Sequence, residues 1–468
     1  MITCGRVRLL LLACGLLPWW SAAEPARPPC RKSPELHSLK PTEGSLTQDE
    51  VVAFGGKGFA WVEKGRWTKW GKWRSKEKKQ VEFFGDTWVY SVSSQVWNEV
   101  EFGDEDTPLS RWKPSSTSFD GGKGMILFGG CHGTKIKGVL NDLWVLRLSS
   151  PGEGKWERIQ TQNPPVARRG HIAVANNTHL VIAGGKGHTK GLGTQVHRDL
   201  WILPLAALES GRSPGEWVEG TAFAGAPRWG STGSLLNRPD GSQVIAFFGG
   251  RNKNKGFADH VVTDGAYIYH NELWFYDFGR DSWELTQPEG ELPCPRDHHG
   301  AAAFGEDLYV FGGRTAEAPV RSSTRSDLWS YSTRTNRWTL HNEGNGPVPS
   351  PRFMPGVTVR WSGQGVRIVI FAGQTLPGST KRTSLNDVWA YDLGKETEGA
   401  WTLLAASDCS PTRTAAASEE PQAGLLYLGF AGLLALGVPL GLAVRATRRP
   451  RSASPGADPL LDGDALLS

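Results

Sequence analysis

Cysteine and tyrosine are scarce in this chain, with six and eight copies among 468 residues. Cys4 and Cys14 fall in a leading apolar segment, which leaves Cys30, Cys131, Cys294 and Cys409. Four cysteines allow three pairings. No cysteine stands where it could crosslink a tyrosine, which argues against a copper centre built on that bond. No Glu-x-x-x-Asp-x-x-x-His iron motif and no Ser-x-Asp-x-Gly-x-Thr-Trp box occur. His298-His299 is the one adjacent histidine pair, and no histidine spacing matches a metal-ligand set. These absences leave no catalytic residue, cofactor or metal to assign, and the chain is expected not to be an enzyme. Charge of neither sign dominates, since 52 Lys and Arg stand against 47 Asp and Glu, a formal net charge of +5.

What is present is a repeat. Six β-like runs end in a glycine turn, at Phe54-Gly55-Gly56, Phe128-Gly129-Gly130, Ala183-Gly184-Gly185, Phe248-Gly249-Gly250, Phe311-Gly312-Gly313 and Phe371-Ala372-Gly373. Each is followed by an acidic residue two before a tryptophan: Asp86 and Trp88, Asp142 and Trp144, Asp199 and Trp201, Glu272 and Trp274, Asp327 and Trp329, Asp387 and Trp389. A second tryptophan closes each unit, at Trp97, Trp156, Trp217, Trp283, Trp338 and Trp401. Paired glycines permit positive φ and close backbone approach. Large flat indoles suit the wedge between neighbouring sheets. Arg169, Arg228, Arg296 and Arg352 precede glycine strands, and recurrent Arg with recurrent Asp points to an ion pair tying unit to unit.

This pattern resembles the kelch repeat over about residues 35 to 405. The resemblance implies an all-β, six-bladed β-propeller, each unit one four-stranded antiparallel blade. Ala372 and Ala183 depart from the motif, and the first blade shows no clear Pro-Arg head. Its innermost strand comes either from residues 36 to 47 or from the far end, where Pro411-Thr412-Arg413 looks like a displaced head.

Arg6 and Arg8, the run Leu9 to Leu17 and then Ser21-Ala22-Ala23 have the layout of a secretory signal peptide. Residues 424–444 carry no charge and suffice for one transmembrane helix, with Arg445, Arg448, Arg449 and Arg451 behind them on the cytosolic side. The expected organisation is a signal peptide at 1–23, an N-terminal segment at 24–35, the propeller at 36–408 with an insertion loop at 57–85, a linker at 409–423, the membrane helix at 424–444 and a cytoplasmic tail at 445–468. In that oxidising compartment Cys30 and Cys409, which bracket the propeller, are expected to pair. Asn176 is the sole sequon acceptor.

Strand alternation sends the post-glycine loops to one face. Together these loops carry about +16, a segregated charge that makes a focused positive field. The first is the most individual. It holds Trp61, then Trp67, Trp70 and Trp73 at three-residue spacing with Lys69, Lys72 and Arg74 interleaved. It resembles the core of thrombospondin type 1 modules over about ten residues, which implies tryptophan–cation stacking and C-mannosylation of Trp67 and Trp70. These residues are the expected ligand-binding set, for an acidic protein or a sulfated glycan but not for nucleic acid. Histidines in or near these loops, among them His197 and His270, are expected to protonate at endosomal pH and strengthen the field. In the tail, Asp462 with Leu466 and Leu467 fits an acidic dileucine signal read by a clathrin adaptor.

The expected function is a type I membrane protein of receptor or adhesion type, at the plasma membrane or in Golgi and endosomes. Two alternatives stand beside it. One is a galactose-oxidase-like carbohydrate-modifying enzyme; the other is a cargo or sorting receptor using its tail.

Overall fold

Among the described residues the chain folds six times into a four-stranded antiparallel meander, because each repeat alternates short apolar strands with glycine and polar turns. In the computed structural model the first meander comprises Glu35–Ser38, Glu50–Trp67, Trp73–Ser91 and Val96–Glu99. The five later ones begin at Ser115–Phe119, Ile172–Ala175, Thr232–Asn237, Gly300–Phe304 and Gly356–Trp361. The structure describes residues 26–409 except 39–49, 68–72, 104, 120–123, 134–137, 190–192, 209–213, 254–266, 318–319, 343–346, 362–364, 377–381, 395–398 and 408. Residues 1–408 cluster as one unit and 409–468 as another.

The opening strands of the six sheets contact one another in chain order, and the sixth also contacts the first. Between sheets the phenylalanine of the glycine turn meets the closing tryptophan of the next repeat. The pairs are Phe54 with Trp156, Phe128 with Trp217, Phe248 with Trp338, Phe311 with Trp401 and Phe371 with Trp97, with centroids 4.8–5.6 Å apart. Ala183 removes one such phenylalanine, and Phe223 fills the place by packing 4.9 Å from Trp283. Ala372 takes the same left-handed conformation as the glycines it replaces, at φ 60°.

The innermost strand of the first sheet is Glu35–Ser38, paired with Val51–Phe54, which decides between the two sources the sequence left open. Just before it, Arg31–Lys32 pairs with Lys57 and Gly58 of the first sheet and with Leu385 of the sixth. The ordered fold therefore begins ahead of residue 36. Residues 57–85 are not the expected loop; they continue two strands as a long ribbon whose last described pair is Trp67 with Trp73. Among the described residues no helix is long and apolar enough to cross a membrane. The signal peptide at 1–23, the span at 424–444, and Asp462, Leu466 and Leu467 lie outside the described residues.

Candidate binding face and axial cavity

One arginine heads each repeat: Arg31, Arg111, Arg168, Arg228, Arg296 and Arg352, each at most 1 % exposed. Five of them grip the repeat's aspartate with two nitrogens at 2.6–2.8 Å. The fourth reaches Glu272 with one, at 2.8 Å. The acidic residue also accepts the indole N–H of the tryptophan two residues on, at 2.7–3.1 Å. That double duty explains the acidic-x-Trp spacing. Burial pushes the Asp142, Asp199 and Asp327 carboxyls up, but their arginines outweigh it and hold them below the usual carboxylate range.

The sequence reading needs two corrections here. Arg168, not Arg169, is the third head, and Arg31 supplies the head missing from the first repeat. The ion pair also joins parts of a single repeat. Unit is tied to unit by the arginine's backbone instead: the N–H groups of Gly56, Gly185, Gly250 and Gly313 donate to the carbonyls of Arg111, Arg228, Arg296 and Arg352 of the next repeat.

Two residues past each arginine the chain turns left-handed, at Ser33, Lys113, Gly170, Gly230, His298 and Met354, with φ 50–71°. These residues form a circle of hydrogen bonds. Ser33 N–H donates to Met354 O, Met354 to His298, His298 to Gly230, Gly230 to Gly170 and Gly170 to Lys113, at 2.7–3.1 Å. Lys113 N–H completes it on the Ser33 hydroxyl at 3.2 Å. Behind this circle lies a cavity of about 940 Å³ lined by the opening strands of all six sheets. There Ser116 donates to Glu35 at 2.5 Å and meets His37 Nε2 at 2.6 Å. Burial raises Glu35 to about 7 and lowers His37 to about 4.

Residues just after several of the head arginines and glycine pairs, together with Lys113, build a cationic and aromatic floor on the same face. Lys32, Lys57, Lys113 and Arg169 place their charges 5.9, 4.3, 4.6 and 5.0 Å from the Trp112 ring. Trp112, Lys32, Lys113 and Arg169 are all buried. Across the face, Lys186 and Arg251 flank Trp229 at 4.7 and 5.3 Å. That half holds an acid: Asp297 bonds Arg251 and Arg314 at 2.9 Å and His298 at 2.5 Å. Burial pushes Asp297 up, yet Arg314, His298 and Arg251 outweigh it and keep it charged. On the other side of the face, four cationic side chains gather around the Trp112 ring.

Lys57, Lys186, Arg251 and Arg314 come from the post-glycine segments that the sequence marked as basic. Trp112, Trp229, Lys32, Lys113 and Arg169 were missed, although an aromatic residue directly after a head arginine, in Arg111-Trp112 and Arg228-Trp229, is a readable signal. Trp61 stands opposite Lys79 and Arg74 opposite Arg66 on the ribbon. Lys69, Trp70 and Lys72 lie outside the described residues. Asn176 sits in the hairpin between Ile172–Ala175 and His179–Ala183, at the end of its sheet away from the arginine. Cys30 and Cys409 are each disulfide-bonded, and Cys131 and Cys294 are free thiols. Burial holds His197 near 4 and His270 near 3, so neither adds charge at endosomal pH as expected. Among the described residues no group of three His, Cys, Asp or Glu is placed to hold a metal.

The model of the KLHDC2/KLHL20/DRC7 Kelch-repeats domain matches residues 47–265 and 226–419. Among curated proteins, Kelch repeat-containing protein 2 of Saccharomyces cerevisiae is 25% identical over 242 residues, 51% of this chain and 25% of the relative. Multiple epidermal growth factor-like domains protein 8 of Mus musculus is 28% identical over 261 residues, 55% of this chain and 8% of the relative. N-(sulfonatooxy)prop-2-enimidothioate sulfolyase of Thlaspi arvense is 31% identical over 125 residues, 27% of this chain and 32% of the relative. The chain spans no more than about a third of each.

Proposed function

Because this chain belongs to the kelch-repeat family, we propose that its six sheets close into a propeller that binds an acidic protein segment over the Trp112 floor. Closure is supported by the cyclic contacts of the opening strands and by the circle of hydrogen bonds through Ser33 and Met354. One observation carries the ligand class: four cationic side chains converge within 6 Å of one indole. Clustered cations give the face a local positive field that suits a carboxylate-bearing partner. Tryptophan beneath the cations keeps them on rigid aromatic ground.

The test is binding of an acidic peptide to the purified full-length chain across a salt series. Lys57→Gln with Lys113→Gln removes two charges while keeping a polar side chain one atom shorter, and we expect affinity to fall about tenfold and the salt dependence to flatten. Unchanged affinity and salt slope would remove the proposed site.

The same reading places the domain outside the cell or in the lumen, on the strength of the secretory layout of residues 1–23 and the uncharged run at 424–444. In it the glycan at Asn176 stands away from the binding face, and Asp462, Leu466 and Leu467 direct sorting through a clathrin adaptor. A membrane-impermeant amine reagent applied to intact cells is expected to label the chain, and Leu466→Ala with Leu467→Ala to increase that signal. Labelling only after permeabilisation would overturn surface exposure.

A further inference from the structure

The acid of every repeat, and the buried Asp297, each meet an arginine. Glu35 meets none, although it lines the axial cavity at the start of the innermost strand of the first sheet. Among the described residues its hydrogen-bonding partner is Ser116, whose hydroxyl donates at 2.5 Å. With that O–H given to Glu35, His37 carries its own proton on Nε2 and donates to the Ser116 oxygen at 2.6 Å. His37 is neutral, because burial pushes its imidazole down to about 4. The cluster therefore brings a carboxyl into the cavity and no cation to balance it. Glu35 and His37 are half-buried, and the surface they keep faces the cavity. Leaving a deep carboxylate unpaired is unfavourable, and burial raises Glu35 to about 7 against the bonds from Ser116. A cation arriving in the cavity would supply the missing partner and hold the carboxyl ionised.

Hydroxyls wall the rest of the cavity. Ser38, Thr117, Ser234 and Thr358 line it beside Glu35 and Ser116. Ser38 and Thr358 satisfy each other at 3.0 Å, and Thr117 accepts the Ala175 N–H at 3.3 Å. Ser234 is buried, and its hydroxyl bonds nothing among the described residues. Its place relative to Glu35 follows from the circle of left-handed residues. Ser33 and Gly230 stand opposite each other there, three steps apart either way round. Glu35 lies two residues beyond Ser33, and Ser234 four beyond Gly230. The two groups therefore occupy opposite walls, staggered by two residues, about 7 Å along the axis. A cavity of about 940 Å³ has the size of a small-molecule site. A neutral polyol would leave Glu35 without a partner, and a plain alkylamine would leave Ser234 without one.

We propose that the axial cavity binds a small hydroxylated amine, its ammonium held by Glu35 and a distant hydroxyl of the same molecule by Ser234 on the opposite wall. Ser116 and His37 hold the carboxylate in place through their chain of hydrogen bonds. The site lies behind the circle, apart from the Trp112 floor, and it goes beyond the reading of that floor without depending on it.

The experiment is calorimetric titration of the purified full-length chain with glucamine, sorbitol, gluconate and hexylamine. Glucamine is sorbitol with one hydroxyl replaced by an amine, gluconate carries a carboxylate there, and hexylamine keeps the ammonium without the hydroxyls. We expect glucamine to bind about tenfold tighter than sorbitol or hexylamine, and gluconate to show no binding. Glu35→Gln keeps the shape of the side chain and removes its charge. It is expected to bring glucamine down to the sorbitol level and to leave sorbitol unchanged. Ser234→Ala is expected to weaken glucamine and sorbitol alike, about threefold, and to spare hexylamine. The wild-type chain supplies a readout that needs no variant to fold: near pH 7, docking of glucamine ionises Glu35 and releases protons to the buffer. Equal binding of glucamine and sorbitol overturns the inference, as does hexylamine matching glucamine, or failure of every probe to bind. Docking without proton release, or a Glu35→Gln chain that still prefers glucamine, overturns it too.

Discussion

Replacing Asp387 by Asn lowers the stability of this domain by about 3–5 kcal/mol, the usual cost of leaving one partner of a buried ion pair uncompensated. Arg352 is fully buried and Asp387 nearly so, its side chain 8 % exposed. The carboxylate takes two guanidinium bonds at 2.7 and 2.8 Å and the Trp389 indole N–H at 2.8 Å. An amide can accept on one atom only, and its own N–H groups then face donors. The fourth repeat supplies an internal comparison. Glu272 is 41 % exposed and holds Arg228 by a single nitrogen. Glu272→Gln therefore costs about 1 kcal/mol, the worth of one partly solvated hydrogen bond. Denaturant unfolding of the two variants side by side measures the difference. Equal shifts would mean that the buried pair matters no more than the exposed one.

Gly312→Ala is expected to cost about 2–4 kcal/mol, from left-handed strain together with a steric clash. At φ 65° its new Cβ would stand 2.8 Å from the Arg352 carbonyl and 3.1 Å from that of Arg325, both backbone atoms. The Arg352 carbonyl is the one that accepts from Gly313 across the repeat boundary, so the clash falls on the inter-sheet tie itself. Gly184 has the same conformation, φ 67°, but its nearest neighbour is the Arg228 carbonyl at 3.4 Å. Gly184→Ala should then cost only the backbone strain, about 1–2 kcal/mol. Thermal unfolding that ranks the two in the opposite order would show that inter-sheet contact does not set the cost. Ala372 demonstrates that one repeat already bears a methyl group at this position; nothing in the structure explains why it is the sixth.

The repeat was legible because every element of it has a local cause. Glycine pairs mark the strand ends, and the acidic-x-Trp spacing is the i, i+2 reach of an indole N–H back to a carboxylate on one strand. The heads were read less well. Arg31 hides behind Cys30 without the Pro-Arg signature, and in Arg168-Arg169 nothing in the sequence says which guanidinium turns inward. Residues 57–85 looked like a loop because their charge overwhelms any alternation of apolar and polar residues. Their pairing is fixed from below, by the strands they extend. The floor around Trp112 could not be assembled from sequence, since its four cations come from three repeats and converge only through tertiary contact.

The short strand Arg31–Lys32 touches both the third and the penultimate strands of the described fold, through Gly58 and Leu385. A contact between residues so far apart cannot form until nearly the whole domain has left the ribosome, and it must overcome the loop entropy of everything between. Until then the first sheet waits with an unfilled side. Assembly thus has a direction and a final step, the docking of Arg31 against Leu385.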